Sequence, residues 1–184
     1  MASRIPYKNL TDYPWILQII FYFQKKKFGQ ILNPSLLWGY SFWQSLTFLA
    51  YYLAINRKNS PISEELRSLV MVRVAQIHGC QFCIDINSML YLERSKNRDR
   101  IWSLDKWKDS PLFSREEKWA LEYAEAMTQT QSAVTDEHLK QLKSFLTECQ
   151  IVELTGIIAY QNLSARFNSA LNVAPQGLCQ LPKA

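Results

Sequence analysis

The sequence predicts an all-α, single-domain protein, and three observations carry that prediction. Glycine and proline are scarce, 5 and 7 in 184 residues, too few for the tight turns of a sandwich or barrel. Apolar residues recur at helical spacing, as in Leu66, Leu69, Val70, Val74 and Ile77. No run alternates polar and apolar residues as a half-buried strand would. At 48% hydrophobic, a chain of this length can bury one sizeable core.

The elements follow in order. Residues 13–29 read as a first helix, closing near Gly29. Pro34-Ser35 opens a second that runs to about residue 56, before the turn Asn59-Ser60-Pro61. Ser63 is an N-cap, with Glu64 and Glu65 in a first turn where the helix dipole favours acids. That helix ends at His78-Gly79, and the next carries Cys80 to about residue 93. A short helix and loop are expected over 94–111. Ser114 with Glu117 forms a capping box for a helix reaching about Thr128. Thr135 caps another through residue 146, and the last helix spans about 150–171. The chain thus divides into an N-terminal helical extension (1–33), a main domain (34–174) and a tail (175–184). The tail is expected to be extended or loose from Val173.

Composition excludes several function classes. The net charge of +5 is mild and the basic residues are scattered, so no nucleic-acid surface is expected. Residues 36–55 approach one bilayer in length without a formal charge. But Ser41, Gln44, Ser45 and Thr47 interrupt them, and a buried or subunit-facing helix fits better than a membrane span. Arg4 and Lys8 precede the apolar run 14–23, yet Lys25-Lys26-Lys27 follows directly and no small-residue cleavage site appears. A cytoplasmic location is expected. The aromatic set of Tyr13, Trp15, Phe21, Tyr22, Phe23, Trp38, Phe42, Trp43 and Phe48 reads as core and oligomer interface.

The chemistry lies in Cys80-Gln81-Phe82-Cys83. Two cysteines three apart at a helix start sit within disulfide reach, and the positive helix end favours thiolate over thiol. Cys149 and Cys179 stand apart, so no disulfide framework is expected. Counting along the helix, Asn87 shares the face of Cys80 and Cys83, while Asp85 points away as a solvated or salt-bridged residue. Ser68 lies twelve residues before Cys80. His78 either ends its helix or serves as a substitute relay base, and His138 is remote and solvated. A zinc site would need two more ligands than the pair supplies, so neither a metal nor an organic cofactor is expected.

These residues carry a resemblance. The runs Leu66-Arg67-Ser68-Leu69-Val70, Arg73-Val74-Ala75-Gln76 and Gly79-Cys80-Gln81-Phe82-Cys83 resemble the core of the carboxymuconolactone decarboxylase superfamily, in its alkyl hydroperoxidase D-like (AhpD-like) branch. Further along, Ala120-Leu121-Glu122-Tyr123-Ala124-Glu125, Val152-Glu153-Leu154, Asn162 and Arg166 agree. The resemblance implies an all-α fold in helix-mediated homo-oligomers, trimers or hexamers. It implies that Cys83 attacks a peroxide or disulfide substrate and Cys80 resolves, with an external dithiol, lipoyl or thioredoxin-like, as reductant. Ser68 and Asn87 stand where the branch carries a relay Glu and His, and neither is a base near neutral pH. The expected function is a CxxC-dependent thiol oxidoreductase with an altered proton relay in antioxidant defence. The alternatives are a carboxymuconolactone decarboxylase-type lyase and a non-catalytic oligomeric scaffold or redox sensor.

Overall fold

Gly39 breaks what the sequence pattern reads as one helix. In the computed structural model, which describes residues 3–95, 97–131 and 133–179, the stretch 34–56 forms two helices, α2 (Asn33–Trp38) and α3 (Phe42–Ile55). The Tyr13 ring lies against Gly39, where a Cβ would come within 2.9 Å of Tyr13 Cε1. The Tyr13 hydroxyl donates to Leu36 O at 2.9 Å. The break is therefore set by a residue 26 positions earlier, a long-range packing cause that periodicity cannot report. Before it, α1 (Trp15–Phe28) ends at Gly29, whose φ of 73° is the left-handed conformation of a helix stop. Leu17 and Phe21 are its buried face.

The central element is α4 (Glu64–Ile77). Ser63 caps it by accepting from Leu66 N at 3.2 Å. Leu69, Val70, Val72 and Val74 are wholly buried, and the helix takes Arg67 and Ser68 into the interior with them. It packs on α5 (Gln81–Ser95), α7 (Arg115–Thr128) and α9 (Glu148–Ala170). The shorter α6 (Arg98–Trp102) and α8 (Asp136–Lys143) complete the nine α-helices, and no strand occurs among the described residues. Capping boxes open α7, α8 and α9, pairing Ser114 with Glu117, Thr135 with His138 and Thr147 with Gln150. The Thr147 box starts α9 at Glu148, ahead of the position expected from periodicity, and α8 yields at Ser144 rather than running to 146. No helix among the described residues is long and apolar enough to cross a membrane.

Two departures from the sequence reading belong together. The tail is not loose, and Asp85 is not a solvated face residue. Val173 is buried, and the buried Asp85 carboxylate accepts three tail N–H groups, from Gln176 and Leu178 at 2.9 and 3.0 Å and from Cys179 at 2.7 Å. A carboxylate taken out of water requires such donors, and three backbone N–H groups supply them. The Gln176 side chain extends the clasp: its Nε2 donates to Ile31 O at 2.9 Å and its Oε1 accepts from Asn33 N at 2.7 Å. One tail residue thus joins α5 to the segment between α1 and α2. The last five residues of the sequence lie outside the described residues.

Glu65 joins four helices. It accepts from Tyr91 at 3.1 Å and Ser95 at 2.8 Å and pairs with Arg100, which also pairs with Glu117. Burial pushes the Glu65 carboxyl up, but the hydrogen bonds from Ser95 and Tyr91 and the Arg100 charge outweigh it and hold it below the ordinary value. A carboxyl lowered in the folded state stabilises above its unfolded pKa and loses that contribution as pH falls through its folded value. Denaturant midpoints of the protein should therefore fall as pH drops below 4.5, the ordinary glutamate value, and this acid limb should be shallower in E65Q. For the clasp, D85A should cost about 2–4 kcal/mol in urea unfolding, the range for losing several bonds to a buried charge. In the same variant, limited proteolysis should cut first within residues 171–179.

Candidate active site

The site begins with a helix stop. At the end of α4, Cys80 N donates to Ala75 O and Gly79 N to Gln76 O, both at 3.0 Å, with Gly79 at φ 61°. This is the paired closure of a Schellman motif, completed by apolar contact between Cys80 and Ala75 in one buried cluster. The chain reverses there and α5 starts at once, with Ile84 N donating to Cys80 O at 2.9 Å. Cys80 thus occupies the cap of α5, and its sulfur accepts from Cys83 N at 3.3 Å. The two cysteines form a disulfide, with Cα atoms 5.3 Å apart.

The two sulfurs meet different surroundings. Both lie in one buried apolar cluster with Leu37, Ala75, Phe82 and Val173, and they differ at the cavity. Cys83 lines a cavity of about 370 Å³ bounded by α1, α2, α3, α5 and α9 with Met71 of α4, and Cys80 is outside its lining. One wall is a column of rings, Trp38 on Phe48 (4.5 Å) and Phe48 on Tyr160 (4.8 Å between centroids), backed outside the lining by Phe167 stacked on Trp38 (3.7 Å). Of the aromatic set expected as core and oligomer interface, Tyr13, Phe21 and Trp38 are buried, and Phe21, Phe23, Trp38 and Phe48 also line this cavity. Others, including Trp15, Tyr22 and Trp43, are exposed. Among the described residues lining the cavity, Lys27 is the single formally charged side chain, and no carboxylate or imidazole is present. Tyr52 and Tyr160 have their hydroxyls pushed up by burial, so they stay neutral.

The residues singled out in the sequence fall in different places. Asn87 joins Cys83 on the cavity wall, buried, and donates from Nδ2 to Gln161 Oε1 at 3.0 Å. Ser68 does not line the cavity: it donates to Glu64 O at 2.9 Å and accepts from Arg94 at 2.6 Å. His78 caps the end of α4 and contacts Asn162 Oδ1 through Nε2 at 2.7 Å, also away from the cavity lining. His138 closes the Thr135 capping box. No group of residues among those described could hold a metal ion.

Two residues on α9 escaped the sequence reading. Asn168 Nδ2 donates to Cys83 Sγ at 3.3 Å, and Gln161 braces Asn87. With Ser164 they form a polar stripe at i, i+3 and i+7, facing the cavity from an otherwise apolar inner face. That stripe is the signal that marks them. Both amides are half used: Gln161 Nε2 and Asn168 Oδ1 are buried without a partner among the described residues.

Comparisons with known proteins bear on the family and the fold. A model of the carboxymuconolactone decarboxylase family matches residues 44–126. YnjA of Escherichia coli strain K12 is 40% identical over 179 residues, 95% of this chain and 96% of that protein. YdfG of Bacillus subtilis strain 168 is 35% identical over 115 residues, 62% of this chain and 78% of YdfG. Among solved structures, the alkylhydroperoxidase AhpD core of a peroxidase-related protein from Ralstonia eutropha JMP134 superposes with a TM-score of 0.88. It covers 98% of both chains at 18% identity. The debrominase Bmp8 superposes at 0.81, covering 94% of this chain and 91% of its own at 21% identity. A cysteine-to-alanine variant of Bmp8 has been solved with 2,3,4-tribromopyrrole. At such identities the structural likenesses show a shared helical fold.

Cysteine exposure gives a direct check. Cys149 is exposed and Cys179 partly so, while Cys80 and Cys83 are bonded and buried. Iodoacetamide followed by peptide mass spectrometry should label Cys149 and Cys179 in the oxidised protein, with Cys149 faster, and all four cysteines after reduction.

Proposed function

The chain belongs to the carboxymuconolactone decarboxylase family, and from that premise we propose that it is an AhpD-like thiol oxidoreductase in which Cys83 attacks and Cys80 resolves. The observation that carries this reading is the asymmetry of the pair: Cys83 lines the apolar cavity and Cys80 sits behind it at the cap of α5. A cavity of about 370 Å³ walled by rings suits an organic hydroperoxide better than hydrogen peroxide.

The chemistry balances as follows. The Cys83 thiolate attacks the outer oxygen of R–O–O–H; an S–O bond forms, the O–O bond breaks, and the alkoxide takes a proton to leave as R–OH. Cys80 sulfur then attacks the Cys83 sulfenic acid; the S–S bond forms, the S–O bond breaks, and water leaves. Two thiols are oxidised and one peroxide is reduced. An external dithiol, a lipoyl group or a thioredoxin-like protein, attacks Cys83 to reset the pair. Cys80 is then the leaving group, and the helix end that stabilises its thiolate makes it a good one. We assign the reaction to cytoplasmic antioxidant defence. The exposed Trp15, Tyr22 and Trp43 support assembly as a homo-oligomer, a trimer or hexamer.

A second reading has one observation in its favour, the structural likeness to a debrominase. The same dithiol could reduce a halogenated ring: Ar–Br and two thiols give Ar–H, bromide, a proton and the disulfide. The lyase reading has less support, because no carboxylate or imidazole lines the cavity to serve as its acid or base.

Three proteins separate these readings: the wild type, C83S and C80S, each reduced and mixed with cumene hydroperoxide. The wild type should consume one equivalent with loss of two thiols. C83S should fall to the uncatalysed rate, and C80S should stop at a sulfenic acid that dimedone traps on Cys83. Hydroperoxide consumption by C83S at the wild-type rate would sink the proposal. Bromide release from bromopyrroles without any hydroperoxide turnover would favour the second reading.

A further inference from the structure

The cavity holds an unexplained polar feature. Gln161 and Asn168 are 2% and 1% exposed, and both line the cavity with Cys83. Each amide spends one end on the site: Gln161 Oε1 accepts from Asn87, and Asn168 Nδ2 donates to Cys83 Sγ. The other ends, the Gln161 Nε2 donor and the Asn168 Oδ1 acceptor, are buried with nothing to bond. Buried polar atoms are almost always paired, and leaving a donor and an acceptor unpaired beside a reactive sulfur opposes folding. Trp38 Nε1, on the same cavity wall, is a further unpartnered donor.

Building on the oxidoreductase reading, we propose that Gln161 and Asn168 form the recognition site for the reacting group of the substrate. They select a neutral group that gives one hydrogen bond and accepts another, carried on an apolar body. A terminal hydroperoxide has this pattern. Its O–H donates to Asn168 Oδ1, which places the outer oxygen near the sulfur that the same amide already touches. Its inner oxygen accepts from Gln161 Nε2 and gains negative charge as the O–O bond breaks, so the donor is worth more in the transition state than in the bound substrate. Asn87, bonded to Gln161 Oε1, fixes which end of that amide is offered. The pair thereby stabilises charge where Ser68 and Asn87 provide no base. Dialkyl peroxides and hydrocarbons, lacking the O–H, are discriminated against.

The test uses binding as well as turnover, so that it does not depend on the thiol chemistry. Quenching of tryptophan fluorescence in the oxidised protein reports the affinity of 2-phenyl-2-propanol, an unreactive alcohol with the same donor and acceptor, against isopropylbenzene, which has neither. The wild type should prefer the alcohol by about tenfold or more, the range for a pair of buried hydrogen bonds. Q161L should lose most of that preference while binding isopropylbenzene as before. Its kcat/KM for cumene hydroperoxide should fall about 10- to 100-fold. Q161E retains an acceptor for Asn87 and removes the donor, and serves where Q161L does not fold. Equal affinity of the wild type for alcohol and hydrocarbon overturns the proposal, as does an unchanged preference in both variants. A wild type that prefers the alcohol but is inert to hydroperoxide overturns the oxidoreductase reading and leaves the recognition site standing.

Discussion

The left-handed turn at Gly79 is the constraint on which the site depends. Two backbone bonds close α4 there, and the second of them delivers Cys80 as the cap of the next helix. Everything on α5 then has its position fixed by count: Cys83 and Asn87 toward the cavity, Asp85 toward the tail. The space around Gly79 is open, with nothing within 4 Å of a Cβ built there. What holds glycine at this position is the backbone conformation itself, which costs other residues about 1 kcal/mol. The geometry of the cysteine pair thus rests on a torsion angle at the residue directly before it.

Among its described lining residues, the cavity carries no carboxylate or imidazole beside Cys83. Its tyrosines are neutral, its amides do not ionise, and Lys27 on exposed α1 is the lone charge among its described lining. Cys83 is therefore left without a neighbouring general base, in contrast to the acid–base relay that the AhpD-like resemblance implies. The surroundings offer oriented dipoles instead. Fixed dipoles act without proton transfer and need no reorganisation when charge develops, which makes them a physically distinct substitute for a relay.

Legibility from sequence followed the range of the causes. The Ser63 cap, the Ser114 box and the helically spaced apolar residues of α4 depend on residues within one or two turns, and they were readable. So was the cysteine pair at a helix start, because spacing and a preceding glycine are local signals. The break at Gly39 depends on Tyr13, and the order of the tail depends on Asp85, 91 to 94 residues away. The same holds at the site, where Gln161 and Asn168 reach α5 across 74 and 85 residues. A polar residue on a buried helical face can be recognised in sequence, but its partner cannot. Asp85 shows the cost of that blindness, since a carboxylate facing away from the reactive cysteines reads as solvated until the tail that covers it is seen.

The fastening of the tail has a consequence for how the molecule opens. Gln176 bonds to the 30–33 segment and to Asp85, while near the other end Arg4 N donates to Leu171 O at 2.9 Å. The 30–33 segment, α5, the end of α9 and the segment after it, together with Arg4, are thereby laced together beside the cavity walls. Amide protons in these segments, distant in sequence, share a common opening event and exchange with solvent together. Loss of any one of these bonds is then felt first where the lacing is weakest, and not only at the residue that made it.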